Sequence, residues 1–127
     1  MKFRIIVCGG RDYVDAAKVH KVLSNLLQRH GSSLEIIQGG ARGADRLARQ
    51  WADSNGVSCL TMKADWDRFG PSAGPIRNKN MAIELMKGVP RAEFEKSRLV
   101  VAFPGGPGTA NMMGVAHAYG LKVLEVK

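Results

Sequence analysis

The sequence predicts an α/β protein: a single Rossmann-like, doubly wound domain of about five parallel strands in the order 3-2-1-4-5, with helices on both faces. Two observations predict it. Short β-branched and aliphatic runs alternate with stretches whose apolar residues recur at helical spacing. Three of those runs also end directly in glycine clusters, as strands do where they hand over to a helix. The strand order follows because crossovers between parallel strands are right-handed.

Phe3 to Cys8 reads as a buried strand. Val19, Val22, Leu23, Leu26 and Leu27 then mark the apolar stripe of a first helix, which Gly31 ends. Leu34 to Gln38 is the second strand. Ala44, Leu47, Ala48, Trp51 and Ala52 share one face of a second helix that stops near Asn55-Gly56, and Val57 to Met62 is the third strand. Lys63 through Gly74 follows neither period and is expected to be a long irregular loop, a kind of segment that often carries function. A helix resumes from Ile76 to Met86. Leu99 to Phe103 is the fourth strand, Thr109 to Tyr119 a helix with Met112, Met113 and Ala116 inward, and Lys122 to Val126 the last strand. With 127 residues and 45% hydrophobic content, residues 1–127 suffice for one domain whose core needs neither disulfide nor structural metal.

Composition narrows the function classes. Cys8 and Cys59 lack metal-ligand spacing, and Cys8 reads as a small buried apolar residue. His20, His30 and His117 share no metal-binding spacing, so no metal and no cofactor are expected. The apolar run at the amino terminus is too short for a signal peptide or a membrane span, which predicts a soluble, cytoplasmic protein with no membrane partner. Nineteen Lys and Arg against eleven Asp and Glu give a net charge of +8, a field that attracts nucleotides, nucleic acid or acidic partners. Eight scattered aromatic residues are a poor base-stacking row, so single-stranded nucleic acid stands behind a small ligand.

The strongest signal is the coincidence of three glycine-rich strand ends: Gly9-Gly10-Arg11-Asp12, Gly39-Gly40-Ala41-Arg42-Gly43-Ala44-Asp45 and Pro104-Gly105-Gly106-Pro107-Gly108-Thr109. Glycine admits close approach of a ligand, and a following helix amino terminus offers unpaired N–H groups to an anion. Neither the P-loop nor the Gly-x-Gly-x-x-Gly spacing is present, which argues against an ordinary ATPase or dehydrogenase. The expected ligand contacts are Gly9, Gly10, Gly39, Gly40, Gly43, Pro104, Gly105, Gly106, Gly108 and Thr109, with Arg11, Arg42 and Arg77 as partners for phosphate oxygens. Trp66, between Asp65 and Asp67, suits either a lid that stacks a base or a pin that holds the loop to the core. Trp51, at helical spacing with Leu47 and Ala48, suits core packing or a subunit face.

Three segments together resemble the YspA/YpsA-related branch of the SLOG superfamily: Gly39 through Ala48, Gly74-Pro75-Ile76-Arg77-Asn78-Lys79-Asn80-Met81, and Pro104 through Met112. The likeness spans nearly the whole chain. It implies a Rossmann-like fold with a pocket for a nucleotide-type ligand, to which Asn78 is added by its place beside Arg77. The superfamily also includes the Lonely Guy phosphoribohydrolases, whose Pro-Gly-Gly-x-Gly-Thr motif is similar to Pro104 through Thr109 and is followed by an acidic pair. Asn111 and Met112 stand in place of those acids here. Glycosidic hydrolysis needs carboxylates to stabilise an oxocarbenium-like centre and to activate water. Arg77 matches the family's arginine, and Asp45, Asp65 or Asp67 are the displaced-carboxylate candidates. Asp45 has a second reading, as an acid favoured in a helix's first turn. Ala41 through Asp45 and Arg77 through Lys79 also resemble the single-strand-binding DprA core. The family further implies a homo-oligomer, for which an exposed surface of Trp51, Met112 and Met113 would serve.

The resulting expectation is a protein that binds a nucleotide-derived small molecule, as a sensor or by sequestration. The alternatives are a nucleotide N-glycosidase or phosphoribohydrolase, with Arg77 and Asp45 as catalytic candidates, and a single-strand binder.

Overall fold

Five strands, β1 (Phe3–Cys8), β2 (Leu34–Gln38), β3 (Ser58–Thr61), β4 (Arg98–Ala102) and β5 (Lys122–Glu125), form one sheet in the order β3-β2-β1-β4-β5. The computed structural model describes residues 2–127. All four pairings are parallel, with Ile5 opposite Ile36 on one side of β1 and Leu99 on the other. The helices are α1 (Ala16–His30), α2 (Ala44–Asn55), α3 (Trp66–Phe69), α4 (Ala73–Met86), α5 (Phe94–Ser97) and α6 (Pro107–Ala118). The predicted fold class and strand order both hold.

Because side chains alternate along a strand, β1 feeds two cores. Ile5 and Val7 pack with Val19 and Leu23 of α1 and with Ala48 and Trp51 of α2. Ile6 and Cys8 pack on the opposite face with Met81 and Leu85 of α4 and Met112 and Ala116 of α6. This two-sided burial is why the central strands read as continuous apolar runs.

Four details depart from the sequence reading. The segment Lys63–Gly74 is not irregular throughout: the Asp65 carboxylate accepts the Arg68 N–H at 3.2 Å and caps α3, and a 3₁₀ turn over Gly70–Ser72 leads into α4. α4 starts at Ala73, so Pro75 falls in the first turn, where its missing N–H has no intrahelical partner to lose. α6 starts at Pro107 for the same reason, which brings Gly108 and Thr109 into its first turn. Phe94–Ser97 forms the short α5, which periodicity over one turn is too brief to announce.

Trp51 and Met112 are buried, in opposite cores, so the surface of Trp51, Met112 and Met113 expected to serve a subunit contact does not exist. The Trp51 indole N–H instead donates to Ser24 Oγ at 3.1 Å.

Part of the positive charge is bound up at the amino ends of the strands. Arg98 is buried and donates to the carbonyl oxygens of Leu85, Lys2, Ser97 and Lys87 at 2.5 to 3.0 Å. Arg4 pairs with Glu35 and Glu84, each at 3.1 Å. No described helix is long and apolar enough to cross a membrane.

Trp51→Ala removes a large side chain buried among Val19, Leu23 and Ala48. It is expected to lower unfolding free energy by about 3–5 kcal/mol, read as a lower midpoint in urea with an unchanged slope.

Candidate functional site

Where β1 and β4 end, the chain departs to opposite faces of the sheet, and the crevice outside their carboxyl ends is the topological switch point of the fold. A cavity of about 950 Å³ opens there. Gly10 ties the two loops together: its N–H donates to Pro104 O at 2.9 Å, and its own carbonyl accepts the first N–H of α2, from Ala44, at 3.2 Å. That docking requires Gly43, whose φ is +80° and whose absent Cβ would lie 2.2 Å from Gly10 O.

The turn between β2 and α2 is pinned from within. Gln38 is fully buried; its Oε1 accepts the Gly40 N–H and its Nε2 donates to Thr61 Oγ1, both at 2.6 Å. Asp45 Oδ2 accepts the backbone N–H groups of Gly39 and Ala41, each at 3.2 Å. From the far side of the crevice, Arg77 of α4 donates from Nη1 to Gly39 O at 2.7 Å and from Nε to Asn78 Oδ1 at 3.1 Å. A Cβ on Gly39 would stand 2.2 Å from Arg77 Nη1, so glycine is what lets the guanidinium reach the turn. Asn78 is itself buried and completes the span, its Nδ2 donating to Asn111 Oδ1 at 2.9 Å and Gly108 O at 3.2 Å.

Burial raises the Asp45 carboxyl above its ordinary value of 3.8, against the pull of the Ala41 N–H, Arg77, the Gly39 N–H and Arg11. Burial lowers Arg77, and Asp45 holds it up. The Cys8 thiol is pushed up to about 12 by burial and then by Asp45, so at neutral pH it is an apolar floor to the cavity and not a nucleophile.

The structure gathers most of the expected residues around this cavity. Gly9, Gly10, Arg11, Asp45, Trp66, Arg77 and Asn78 line it. So do Pro104, Gly105, Gly106, Gly108 and Thr109. Gly39, Gly40 and Gly43 do not line it; they serve the turn, and Gly40 is exposed. Arg42 points outward to Asp12 at 3.2 Å. Trp66 is 46% exposed, lies over Gly74 and has the Arg11 guanidinium above its ring at 5.3 Å. Asp65 and Asp67 do not line the cavity, which leaves Asp45 as the displaced-carboxylate candidate that does. Of the two residues in place of the acidic pair, Asn111 lines the cavity and Met112 is fully buried in the core.

Sequence reasoning passed over Tyr13, Pro71 and Met81 in the lining. Tyr13 directly follows the first glycine cluster, a signal that was present. Pro71 reaches the cavity from the 3₁₀ turn before α4 and Met81 from the buried side of α4 itself, placements set by how α4 packs on the sheet and by no local pattern. Among the described residues, no group of His, Cys, Asp and Glu is arranged to hold a metal ion.

The fold and site define a Rossmann-like protein with a glycine-walled cavity at the carboxyl edge of a parallel sheet. The chain belongs to the YspA, cpYpsA-related SLOG family, whose model matches residues 3–69. The gene 61 protein of Mycobacterium phage D29 is 31% identical over 129 residues, covering 96% of this chain and 94% of its own. In fold the chain is similar to DNA processing protein A (DprA) from Streptococcus pneumoniae, with a TM-score of 0.55 and 21% identity over 97% of this chain. The chain spans 58% of that DprA chain.

A carboxyl raised by folding holds its proton more tightly in the native state than in the unfolded one. Its contribution to stability is therefore full below the unfolded value near 3.8 and is lost as pH climbs through the raised native value. Asp45→Asn deletes that titration. The stability of the wild type relative to the variant is expected to fall as pH rises across this window, measured by denaturant unfolding at a series of pH values; a rise would contradict the burial account.

Proposed function

We propose that the chain binds a phosphate-bearing, nucleotide-type small molecule in this cavity, as a sensor or by sequestration, with the phosphate on the amino terminus of α6. The observation that carries this reading is a contrast among α1, α2 and α6, the three helices that follow the glycine-rich strand ends. α1 begins with its cap filled by its own Asp15 side chain. α2 gives its first N–H to Gly10 and carries Asp45 in its first turn, so an added anion there meets a carboxylate. α6 has no acid in its first turn and no side-chain cap. A Cβ on Gly106 or Gly108 would meet no atom within 4 Å, so these glycines answer no packing demand. What they leave is uncovered backbone N–H beside the cavity, at the positive end of a helix dipole.

Arg11 lies within reach of the same space, and Trp66 offers an aromatic face on which a base can stack. A bounded cavity with one exposed tryptophan suits a small ligand better than an extended strand, which needs a groove with successive stacking residues.

A second reading has its own support. A buried carboxyl with a raised proton affinity beside a cavity of about 950 Å³, room enough for a nucleotide, is suited to acid–base work in N-glycosidic cleavage. In that case incubation with ribonucleoside monophosphates yields free base and ribose phosphate, and Asp45→Asn stops the release while binding persists.

Gly108→Ala separates ligand space from folding. Alanine is favoured over glycine in a helix by up to about 1 kcal/mol, so thermal stability is expected to hold or rise. Affinity for nucleoside monophosphates is expected to fall about tenfold or more in calorimetric titration, equivalent to roughly 1.4 kcal/mol. Unchanged affinity would place the phosphate elsewhere.

A further inference from the structure

We infer that Asp45 is a specificity residue that accepts a hydrogen bond from a ribose hydroxyl, so the cavity takes ribose phosphates in preference to their deoxy counterparts. The inference rests on the nucleotide reading above and deepens it.

Asp45 is only 7% exposed, yet both bonds its side chain receives run to Oδ2. Among the described residues every fully buried side-chain oxygen and nitrogen has a partner. Oδ1, which has none from the protein, is therefore the oxygen that reaches the cavity Asp45 lines. Arg77 shows the complementary pattern. Its Nη1 and Nε are engaged by Gly39 and Asn78, and Nη2, with no protein acceptor, is left toward the same space. The floor of the cavity thus presents one free acceptor oxygen and one free donor nitrogen from two charge-coupled side chains.

This pair selects the chemistry of its occupant. A phosphate is repelled by the carboxylate at short range. A methyl or methylene group would leave both groups desolvated and unpaired. A hydroxyl donates to Asp45 Oδ1 and accepts from Arg77 Nη2 at once, which no purely donating or purely accepting group does. With phosphate on α6 and base on Trp66, the group between them in a nucleotide is the sugar, whose hydroxyls meet the floor. Sites built around a hydroxyl discriminate strongly against analogues that lack it, because the partner groups are left buried and unsatisfied.

The test compares adenosine 5′-monophosphate with its 2′-deoxy and 3′-deoxy forms, and ribose 5-phosphate with 2-deoxyribose 5-phosphate, by calorimetric titration. Wild-type protein is expected to lose at least tenfold in affinity when the recognised hydroxyl is removed. In Asp45→Ala that preference is expected to shrink to within about threefold; Asp45→Asn, which keeps the side-chain volume, serves if the alanine variant does not fold. Tight binding of all probes with no preference overturns the inference and leaves the nucleotide reading standing. A preference that persists unchanged in the Asp45 variants overturns the assignment to Asp45. Binding of none of the probes removes the nucleotide reading and the inference with it.

Discussion

The site depends on one knot, the Asp45 carboxylate held by two backbone N–H groups of the turn that precedes its own helix. Those bonds, to Gly39 and Ala41 at 3.2 Å, fold the β2–α2 turn back on itself. The turned-out Gly39 carbonyl then becomes the seat for Arg77, and through Asn78 the tie reaches the first turn of α6. Three elements distant in sequence are registered to one another through one buried carboxylate. An isolated charge in that position would be strongly disfavoured; the amide donors with Arg77 and Arg11 offset part of its desolvation, and burial still raises the carboxyl.

The two ends of the sheet treat charge differently. At the amino ends of the strands Arg98 is enclosed by four carbonyl oxygens and Arg4 by Glu35 and Glu84, so cationic charge there is consumed by the fold. At the carboxyl ends Arg11 is exposed over Trp66 and Arg77 keeps a nitrogen toward the cavity. A net charge of +8 summed over the sequence says nothing of this division. The polarity is set by the parallel topology, which places strand-to-helix loops of Gly9, Gly39 and Pro104 at one edge.

Much of the fold was legible because both signals it uses are local. β1 carries Ile5, Ile6 and Val7 in succession since it is buried on two faces, and α2 shows its apolar side at helical spacing because only that side meets the sheet. The glycine clusters were legible as a group, but not their separate duties. Gly43 serves a helix-to-loop contact with Gly10, Gly39 clears a path for Arg77, and Gly108 borders open space. Those roles depend on which atom arrives from a distant segment. The same holds for Asp45: its place in a first helical turn suggested helix-end electrostatics, whereas it is buried, lines the cavity, bonds back to Gly39 and Ala41 and feels the charge of Arg77 brought in by α4. Asn111 and Met112 look alike as replacements for acids in a line of text, yet successive helical positions turn one to the cavity and the other to the core.

The most direct measurement is native mass spectrometry of the full chain purified from host lysate, followed by denaturation and identification of what is released. The account predicts a stoichiometric mass increment that resolves to a ribose-containing phosphate compound, lost in Gly108→Ala. Protein that carries no small molecule, and gains none when offered a mixture of nucleotides at millimolar concentration, would contradict it.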